Sequence, residues 1–321
     1  MSGETRGVGP SPTPAMRDRL RGCAVGAAVG DALGMPLEFG LPLPEGKLQW
    51  EMRSGRLPAG AFTDDTEMAL ALADSLLAHR PLDPADLGRR FVAWMQAGPS
   101  DVGIHTMEVL HRSAAAQGWR EAVEAVYAQR PDAAGNGSVM RCWPVALAHW
   151  GDRAQLLADS RLQSQVTHLH DECVAGSAFV CAAIAELVQG AAPADAVGRA
   201  LEQAQAPAAL AEAIEAAPRR QRRELTSSGW VRSTLQAAVW GFLRFPTFGE
   251  AVAQVVSLGG DADTAGTVVG ALAGAAYGLA GIPLRWQEAL RGEWPLRSGT
   301  IWRAGDLIAL ADRLAGCDPC A

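Results

Sequence analysis

Two segments far apart in the chain carry glycine at every fourth position. The first is GCAVGAAVGDALG and the second is GTVVGALAGAAYG. Their glycines are Gly22, Gly26, Gly30, Gly34, Gly266, Gly270, Gly274 and Gly278. Each glycine inside a helix costs about 1 kcal/mol relative to alanine, so the stripes need a compensating contact. Because stripes of small residues let helix backbones approach closely, we predict that both helices lie at the centre of a bundle, where they can face each other.

The remaining sequence also favours helices. Apolar residues recur at spacings of three and four, whereas alternating strand patterns are scarce. The clearest helical segments are 67–80, 86–98, 119–130, 154–168, 172–190 and 234–245. The sequence therefore predicts an all-α fold, a compact single-domain helical bundle over residues 16–314. We expect disorder in residues 1–15, which are rich in glycine, proline and serine, and a short tail over residues 315–321.

Composition argues against several partners. The formal net charge of −7 disfavours direct binding to a nucleic-acid backbone. The apolar stretch 265–284 is long enough to cross a bilayer, but weakly hydrophobic alanine and glycine dominate it and no basic flank orients it. A buried helix is the better interpretation, so we predict no membrane association. The absence of a signal-peptide pattern in residues 1–15 predicts a cytoplasmic protein.

One cysteine pair has the spacing of half a metal or redox site. Cys317 and Cys320 form a single C-x-x-C pair near the end of the sequence. Zinc sites normally need a second pair, so tail cysteines without such a role are the better interpretation.

The first acidic motif stands directly before a helix, in FTDDTEMALAL. Thr63, Asp64 and Asp65 precede the apolar periodic run. One such residue is explained as a helix cap that binds free backbone N–H groups. Two adjacent aspartates exceed what capping requires, so the motif is also a candidate functional site.

The second acidic motif, GGDADTAG, repeats this chemistry with Asp261, Asp263 and Thr264. Carboxylates beside a packed apolar helix are costly unless something pairs with them. A ligand set made only of oxygens suits Mg²⁺ or Mn²⁺, whereas zinc would favour histidine or cysteine. Because the grouped carboxylates would repel one another, the sequence predicts that one or two divalent ions neutralise them.

Five motifs occur in the order GDALGMPLEF, FTDDTEMALAL, GNGSVMR, VTH and GGDADTAG. In this order the chain resembles the ADP-ribosylglycohydrolase family, most closely its bacterial dinitrogenase reductase-activating branch. The resemblance covers residues 17–279, and its motifs are specific in combination although each is weak alone. It implies an all-α fold with two divalent ions, Mg²⁺ or Mn²⁺, in a cleft. It also implies an enzyme that hydrolyses the bond between the anomeric carbon of ADP-ribose and an acceptor, typically a protein arginine.

The same resemblance implies roles for particular residues. The metal ligands would be Thr63, Asp64, Asp65, Asp261, Asp263 and Thr264, with Asp263 shared between the two ions. The catalytic residues would be Asp101, Glu38 and Asp64. The residues that bind ADP-ribose would be Glu38, Asp101, Gly135, Asn136, Gly137, Ser138, His168 and Trp230. Metals that hold the ribose hydroxyls and orient a water, with a carboxylate to move the proton, suit glycoside cleavage.

Taken without the resemblance, several of these residues have plainer interpretations. Glu38 would be an exposed loop carboxylate, Asp101 a cap and His168 a structural histidine. GNGS would be a turn, and Trp230 is equally well explained as a core residue.

The chain departs from the usual family pattern at four positions, Ile104, His105, Trp230 and Ser233. These positions belong to the acceptor and ligand pockets, so they bear more on the identity of the acceptor than on the type of reaction. Other ADP-ribose linkages, on serine, on O-acetyl-ADP-ribose or on a nucleic-acid base, therefore stay open.

Two further classes compete with an ADP-ribose hydrolase. A non-catalytic ADP-ribose-binding or immunity protein should have lost metal ligands, but the ligands that match the family pattern are all present. A two-metal phosphohydrolase should carry histidines beside the acidic motifs, but no histidine adjoins either motif. The expected partners are an ADP-ribosylated protein and the product ADP-ribose, bound by a monomer.

Overall fold

The structure is a computed structural model that describes residues 11–116 and 118–317. Within these residues the chain forms fifteen α-helices and one short hairpin. The first eight helices are α1 (Pro14–Gly34), α2 (Asp64–Ala78), α3 (Pro84–Gln96), α4 (Ile104–Ala116), α5 (Trp119–Gln129), α6 (Trp143–Ala148), α7 (Arg153–Gln165) and α8 (Asp171–Val188). The others are α9 (Pro193–Ala204), α10 (Ala208–Ala216), α11 (Val231–Arg244), α12 (Phe248–Val256), α13 (Ala262–Tyr277), α14 (Leu284–Ala289) and α15 (Ala304–Leu314). The predicted all-α fold is confirmed.

The hairpin is the only sheet among the described residues, and it pairs β1 (Gly292–Glu293) antiparallel with β2 (Ile301–Trp302). No described helix is both long enough and apolar enough to cross a membrane.

The helices of the described residues run from Pro14 to Leu314. Helix α1 begins at Pro14, two residues before the predicted start, because Thr13 caps it by accepting a hydrogen bond from the Met16 N–H. Helix α15 ends at Leu314. Of the residues 1–15 predicted to be disordered, 1–10 lie outside the described residues, as does Cys320 of the C-x-x-C pair. Residues 14 and 15 belong to α1 instead.

The two glycine stripes face each other, as the spacing predicted. A Cβ atom built on Gly30 would lie 1.9 Å from the carbonyl oxygen of Gly266, and one on Gly274 would lie 2.0 Å from that of Gly22. A side-chain carbon needs about 3.4 Å for ordinary contact, so glycine is required on both sides. Helices α1 and α13 therefore form an antiparallel central pair in backbone-to-backbone contact.

This central pair sets the position of three helix ends. Because α1 and α13 run antiparallel, Asp31 in the last turn of α1 lies near Asp263 in the first turn of α13. Helix α2 packs against both of them and starts at the same end of the pair, with Asp64 and Asp65 in its first turn. Helices α8, α11 and α12 pack around α13, and together they bury an alanine-rich core.

Candidate active site

A cleft of about 430 Å³ opens at the end of the central pair where these helix ends meet. Six carboxylates line it: Glu38, Asp64, Asp65, Asp101, Asp261 and Asp263. The other predicted site residues on its wall are Gly135, Asn136, Gly137, His168 and Thr264. Of the residues predicted from the sequence, Thr63, Ser138 and Trp230 do not line the cleft.

Asp31 is an organising residue that the sequence motifs did not reveal. It is fully buried, and its carboxylate accepts hydrogen bonds from the Thr63 N–H at 2.9 Å, the Thr66 N–H at 3.2 Å and the Thr66 hydroxyl at 2.6 Å. A side chain of α1 thus caps the free N–H groups at the start of α2. Burial raises the pKa of Asp31 to about 6, although these hydrogen bonds act in the opposite direction.

Asp65 is held by hydroxyl groups of α13. The Thr264 hydroxyl donates to one carboxylate oxygen at 3.2 Å, and the Thr267 hydroxyl donates to the other at 3.1 Å. Because its proton is used in this way, the Thr264 oxygen keeps lone pairs free for a cation. The pKa of Asp65 is raised well above its usual range, mainly by burial and to a smaller extent by the charges of Asp31 and Asp64.

Two groups of carboxylate oxygens are close enough to hold cations. Asp31, Asp65 and Asp263 form the first group, and Glu38, Asp261 and Asp263 form the second. Within each group the oxygens lie within 4.8 Å of one another, and Asp263 belongs to both. Burial and the adjacent carboxylates raise the pKa of Asp263 well above its usual range, so the anionic form needs compensating positive charge. An oxygen-only set with this spacing fits Mg²⁺ or Mn²⁺.

The remaining predicted ligands have different surroundings. Thr63 is buried and caps α2, since its hydroxyl oxygen accepts the Asp65 N–H at 3.4 Å. Asp64 lines the cleft beside Asp65 but belongs to neither of the two groups. Burial, followed by the charge of Asp101, raises the pKa of Asp64 well above its usual range.

Asn136 joins the GNGS turn to the second acidic motif. Its side-chain amide donates to Asp261 at 2.8 Å and to the Thr234 hydroxyl at 2.9 Å. Its backbone N–H donates to the Gly229 carbonyl at 3.0 Å. The turn therefore fixes the orientation of the Asp261 carboxylate.

His168 lies against the two glycines of this turn. A Cβ on Gly137 would be 3.0 Å from His168 Cε1, and one on Gly135 would be 3.2 Å from His168 Nε2. Both glycines therefore admit the imidazole to the cleft wall. Burial, with smaller effects from His105 and Arg141, lowers the pKa of His168 well below its usual range, so the ring is neutral at pH 7.

A buried chain of hydrogen bonds sets the tautomer of His168. The Arg141 guanidinium, which can only donate, contributes a hydrogen bond to the Thr167 hydroxyl oxygen at 2.7 Å. The Thr167 oxygen lies 2.8 Å from His168 Nδ1 and has its own proton to donate there. Because Nδ1 accepts this hydrogen bond, the single proton of the neutral ring is on Nε2, beside Gly135. His168 is then a hydrogen-bond donor on the cleft wall.

Arg56 is the cation that sequence reasoning missed. Its Nη2 atom lies 2.6 Å from Glu38 Oε2, 2.9 Å from Asp101 Oδ2 and 3.2 Å from Asp263 Oδ2. Desolvation of Glu38 outweighs the attraction of Arg56, so the pKa of Glu38 is raised to about 7. The segment around Arg56 has no periodicity that could have indicated this contact.

Two predicted ligand-binding residues lie away from the cleft lining. Ser138 is fully buried, with its hydroxyl hydrogen-bonded to the Ser177 hydroxyl at 3.3 Å. Trp230 is 48% exposed, so the interpretation of this residue as part of the core is wrong. Its indole N–H donates to the buried carboxylate of Glu172 at 3.4 Å, and the Arg232 guanidinium lies 5.4 Å from its ring centroid.

The departures from the family pattern divide into two places. Ile104 and His105 begin α4 and line the cleft, with Ile104 highly exposed. The His105 ring nitrogen Nε2 lies 2.9 Å from the Thr167 carbonyl, so it carries a proton and donates there. Ser233 lies on α11, where its hydroxyl is bonded to the Ser228 hydroxyl at 2.7 Å.

Comparisons with known proteins agree on one family. The family model described as ADP-ribosylglycohydrolase matches residues 12–319. The chain is 33% identical to the ADP-ribosylarginine hydrolase Tri1 of Pseudomonas putida (strain GB-1), over 84% of this chain and 74% of the relative. It is 34% identical to the ADP-ribosyl-[dinitrogen reductase] glycohydrolase of Rhodospirillum rubrum, over 86% of this chain and 92% of the relative. A solved structure described as an ADP-ribosylglycohydrolase-related protein complex matches with a TM-score of 0.78 and 35% identity, over 95% of this chain and 99% of the other.

Proposed function

The chain belongs to the ADP-ribosylglycohydrolase family and is a hydrolase of that family, and we propose that it removes ADP-ribose from arginine side chains of modified proteins with two divalent ions, Mg²⁺ or Mn²⁺. The observation that carries the proposal is that two carboxylate groups share Asp263 at the floor of the cleft. Two relatives, whose names specify an arginine linkage and a modified dinitrogen reductase, support a protein arginine as the acceptor.

The residues present fit two cations. Asp31 and Asp65 would hold one, Glu38 and Asp261 the other, and Asp263 would contact both. Bound there, the ions would supply Lewis-acid contacts to ribose hydroxyls and lower the pKa of a water. This grouping puts Asp31 in the place that the resemblance assigns to Asp64.

The protein's own groups would carry the remaining chemistry. Glycoside cleavage needs stabilisation of a developing oxocarbenium ion and a proton for the leaving nitrogen. Asp101 is partly exposed at the cleft, where its charge can stabilise the ribose cation. Glu38 lines the same cleft and would move the proton to the leaving nitrogen when its carboxylate is not bound to a cation. His168 would donate a hydrogen bond from the cleft wall beside Gly135 and Gly137 and thereby orient the ligand.

The experiment is release of ADP-ribose from an arginine-ADP-ribosylated protein in Mg²⁺, in Mn²⁺ and in chelator. Release only with metal is expected. Asp101→Asn should slow release far more than it weakens ADP-ribose binding, because the amide keeps the shape but loses the charge. Equal losses in rate and binding would assign Asp101 to ligand holding, and full activity in chelator would contradict the metal mechanism.

Ile104 and His105 favour testing a second acceptor class. They line the cleft at positions where the family usually has Asn-Thr, and the carboxylate groups would contact the ribose rather than the acceptor. Substrates linked through serine, O-acetyl-ADP-ribose or a nucleic-acid base therefore belong in the same assay. Cleavage of these alone would replace arginine as the acceptor. A monomeric state and a cytoplasmic location remain predictions from the sequence.

A further inference from the structure

We propose that Arg56 is a built-in counter-ion of the acidic site, which competes with a divalent cation for the carboxylates of Glu38 and Asp263. The inference rests on the metal site of the proposed function. Within that site, Arg56 sets how tightly the second carboxylate group binds its ion.

The contacts of Arg56 are concentrated on a single atom. Nη2 is within 3.2 Å of one oxygen each from Glu38, Asp101 and Asp263. Nε adds a hydrogen bond of 3.1 Å to the same Glu38 oxygen. The side chain of Arg56 is 28% exposed, whereas those of Glu38 and Asp263 are only 10% and 4% exposed. Two of its three partners are therefore well shielded from water, and an ion pair with them is stronger than one at the surface.

The single charge of Arg56 does not neutralise these carboxylates. Its Nε and Nη2 atoms together carry three N–H bonds, one for each of the three surrounding oxygens. One positive charge nevertheless faces three carboxylates. The cleft thus keeps an excess of negative charge, since six carboxylates line it and Arg56 is the cation in contact with three of them.

The same carboxylates belong to the second cation group. Glu38 and Asp263, with Asp261, have oxygens within 4.8 Å of one another. A divalent ion bound among them would lie close to the guanidinium, and two cations at such a distance repel. The ion therefore binds at the expense of the Arg56 contacts. Arg56 lies in an irregular segment between Lys47 and Asp64, outside the helices and strands, so its displacement breaks no regular element.

The test is calorimetric titration of the metal-depleted full-length protein with Mn²⁺. At the site formed by the second carboxylate group, Arg56→Gln should bind Mn²⁺ at least about tenfold more tightly than the wild type. This factor corresponds to about 1.4 kcal/mol. The matched control is Arg53→Gln, which removes the same charge from an exposed position three residues earlier. Its affinity should stay within about twofold of the wild type.

A second measurement separates competition from general damage. In chelator, Arg56→Gln should unfold at a lower temperature than Arg53→Gln, because three carboxylates have lost their counter-ion. Saturating Mn²⁺ should close that gap. If Arg56→Gln does not fold, Arg56→Lys keeps the charge on a single nitrogen and should bind Mn²⁺ more tightly than the wild type by a smaller factor.

The outcomes distinguish this inference from the proposed function. Equal Mn²⁺ affinity in Arg56→Gln and wild type would overturn the competition and leave the metal site intact. Weaker binding in Arg56→Gln would also overturn it, and would show that Arg56 holds the ligands in position. An absence of Mn²⁺ binding by the wild type would overturn the proposed metal site and this inference together.

Discussion

Replacing Gly30 by alanine should destabilise the protein by about 3 kcal/mol. In an exposed helix the same substitution stabilises by about 1 kcal/mol, because alanine loses less conformational entropy than glycine. Here the new Cβ would lie 1.9 Å from the Gly266 carbonyl oxygen and 2.4 Å from its carbon. Backbone atoms cannot rotate away, so α1 and α13 would have to separate by about 1.5 Å to reach ordinary contact. Overpacking of a dense core costs about 1–3 kcal/mol, and a rigid backbone contact belongs at the upper end.

The substitution should also reduce turnover. Gly30 precedes Asp31, and Asp263 lies on the helix that would be displaced. A displacement on the order of 1 Å can lower the rate of a well-oriented reaction by about 100-fold. We therefore expect loss of activity under conditions where the variant is still folded.

The assay is urea unfolding followed by circular dichroism, with ADP-ribose release measured on the same samples. Gly198→Ala in α9 is the matched control, because a Cβ there meets no atom within 4 Å. It should be stabilised by up to about 1 kcal/mol. If Gly30→Ala is as stable as wild type or gains stability like the control, the central pair does not depend on glycine and the reasoning fails.

Two other predictions concern the charges of the site. Asp263→Asn should abolish Mn²⁺ binding while leaving the free energy of unfolding in chelator unchanged or higher, since it removes one of several buried like charges. Calorimetry measures the Mn²⁺ binding and urea unfolding measures the stability. A large loss of stability would contradict the prediction. Because the folded-state pKa of Glu38 is raised to about 7, the native state holds a proton that the unfolded chain has released. The wild type in chelator should therefore lose stability relative to Glu38→Gln as pH rises from about 4.5 to about 7, and a difference that is flat or of opposite sign across this range would refute the assignment.

The sequence allowed good predictions where one physical constraint dominates a short segment. The glycine stripes have an intrinsic cost that only close packing offsets, so their meeting could be predicted from the residue spacing alone. The TDDT and GDADT motifs likewise carry more carboxylates than capping needs. Both motifs lie in one cleft, which the resemblance implied.

Other features depend on which segments meet in space. A buried aspartate at position 31 indicates that a partner is needed, but the free N–H groups of α2 that bind it belong to a different helix. Thr267 directly follows the GGDADTAG motif, and only the packing of α2 against α13 brings it to Asp65. Arg56 lies in a segment without helical or strand periodicity, so no pattern predicted its contact with Glu38.

The arrangement of the site also governs when it can form during synthesis. Asp65 and the Thr264 hydroxyl that binds it are 199 positions apart in the chain. At about 5–20 residues per second, about 10–40 s pass between their emergence from the ribosome. Throughout that interval the glycine face of α1 has no α13 to cover it, and Asp31 and Asp65 lack Asp263. The acidic cleft therefore cannot assemble before α13 has been synthesised, and we expect a nascent chain that stops before α13 to lack hydrolase activity.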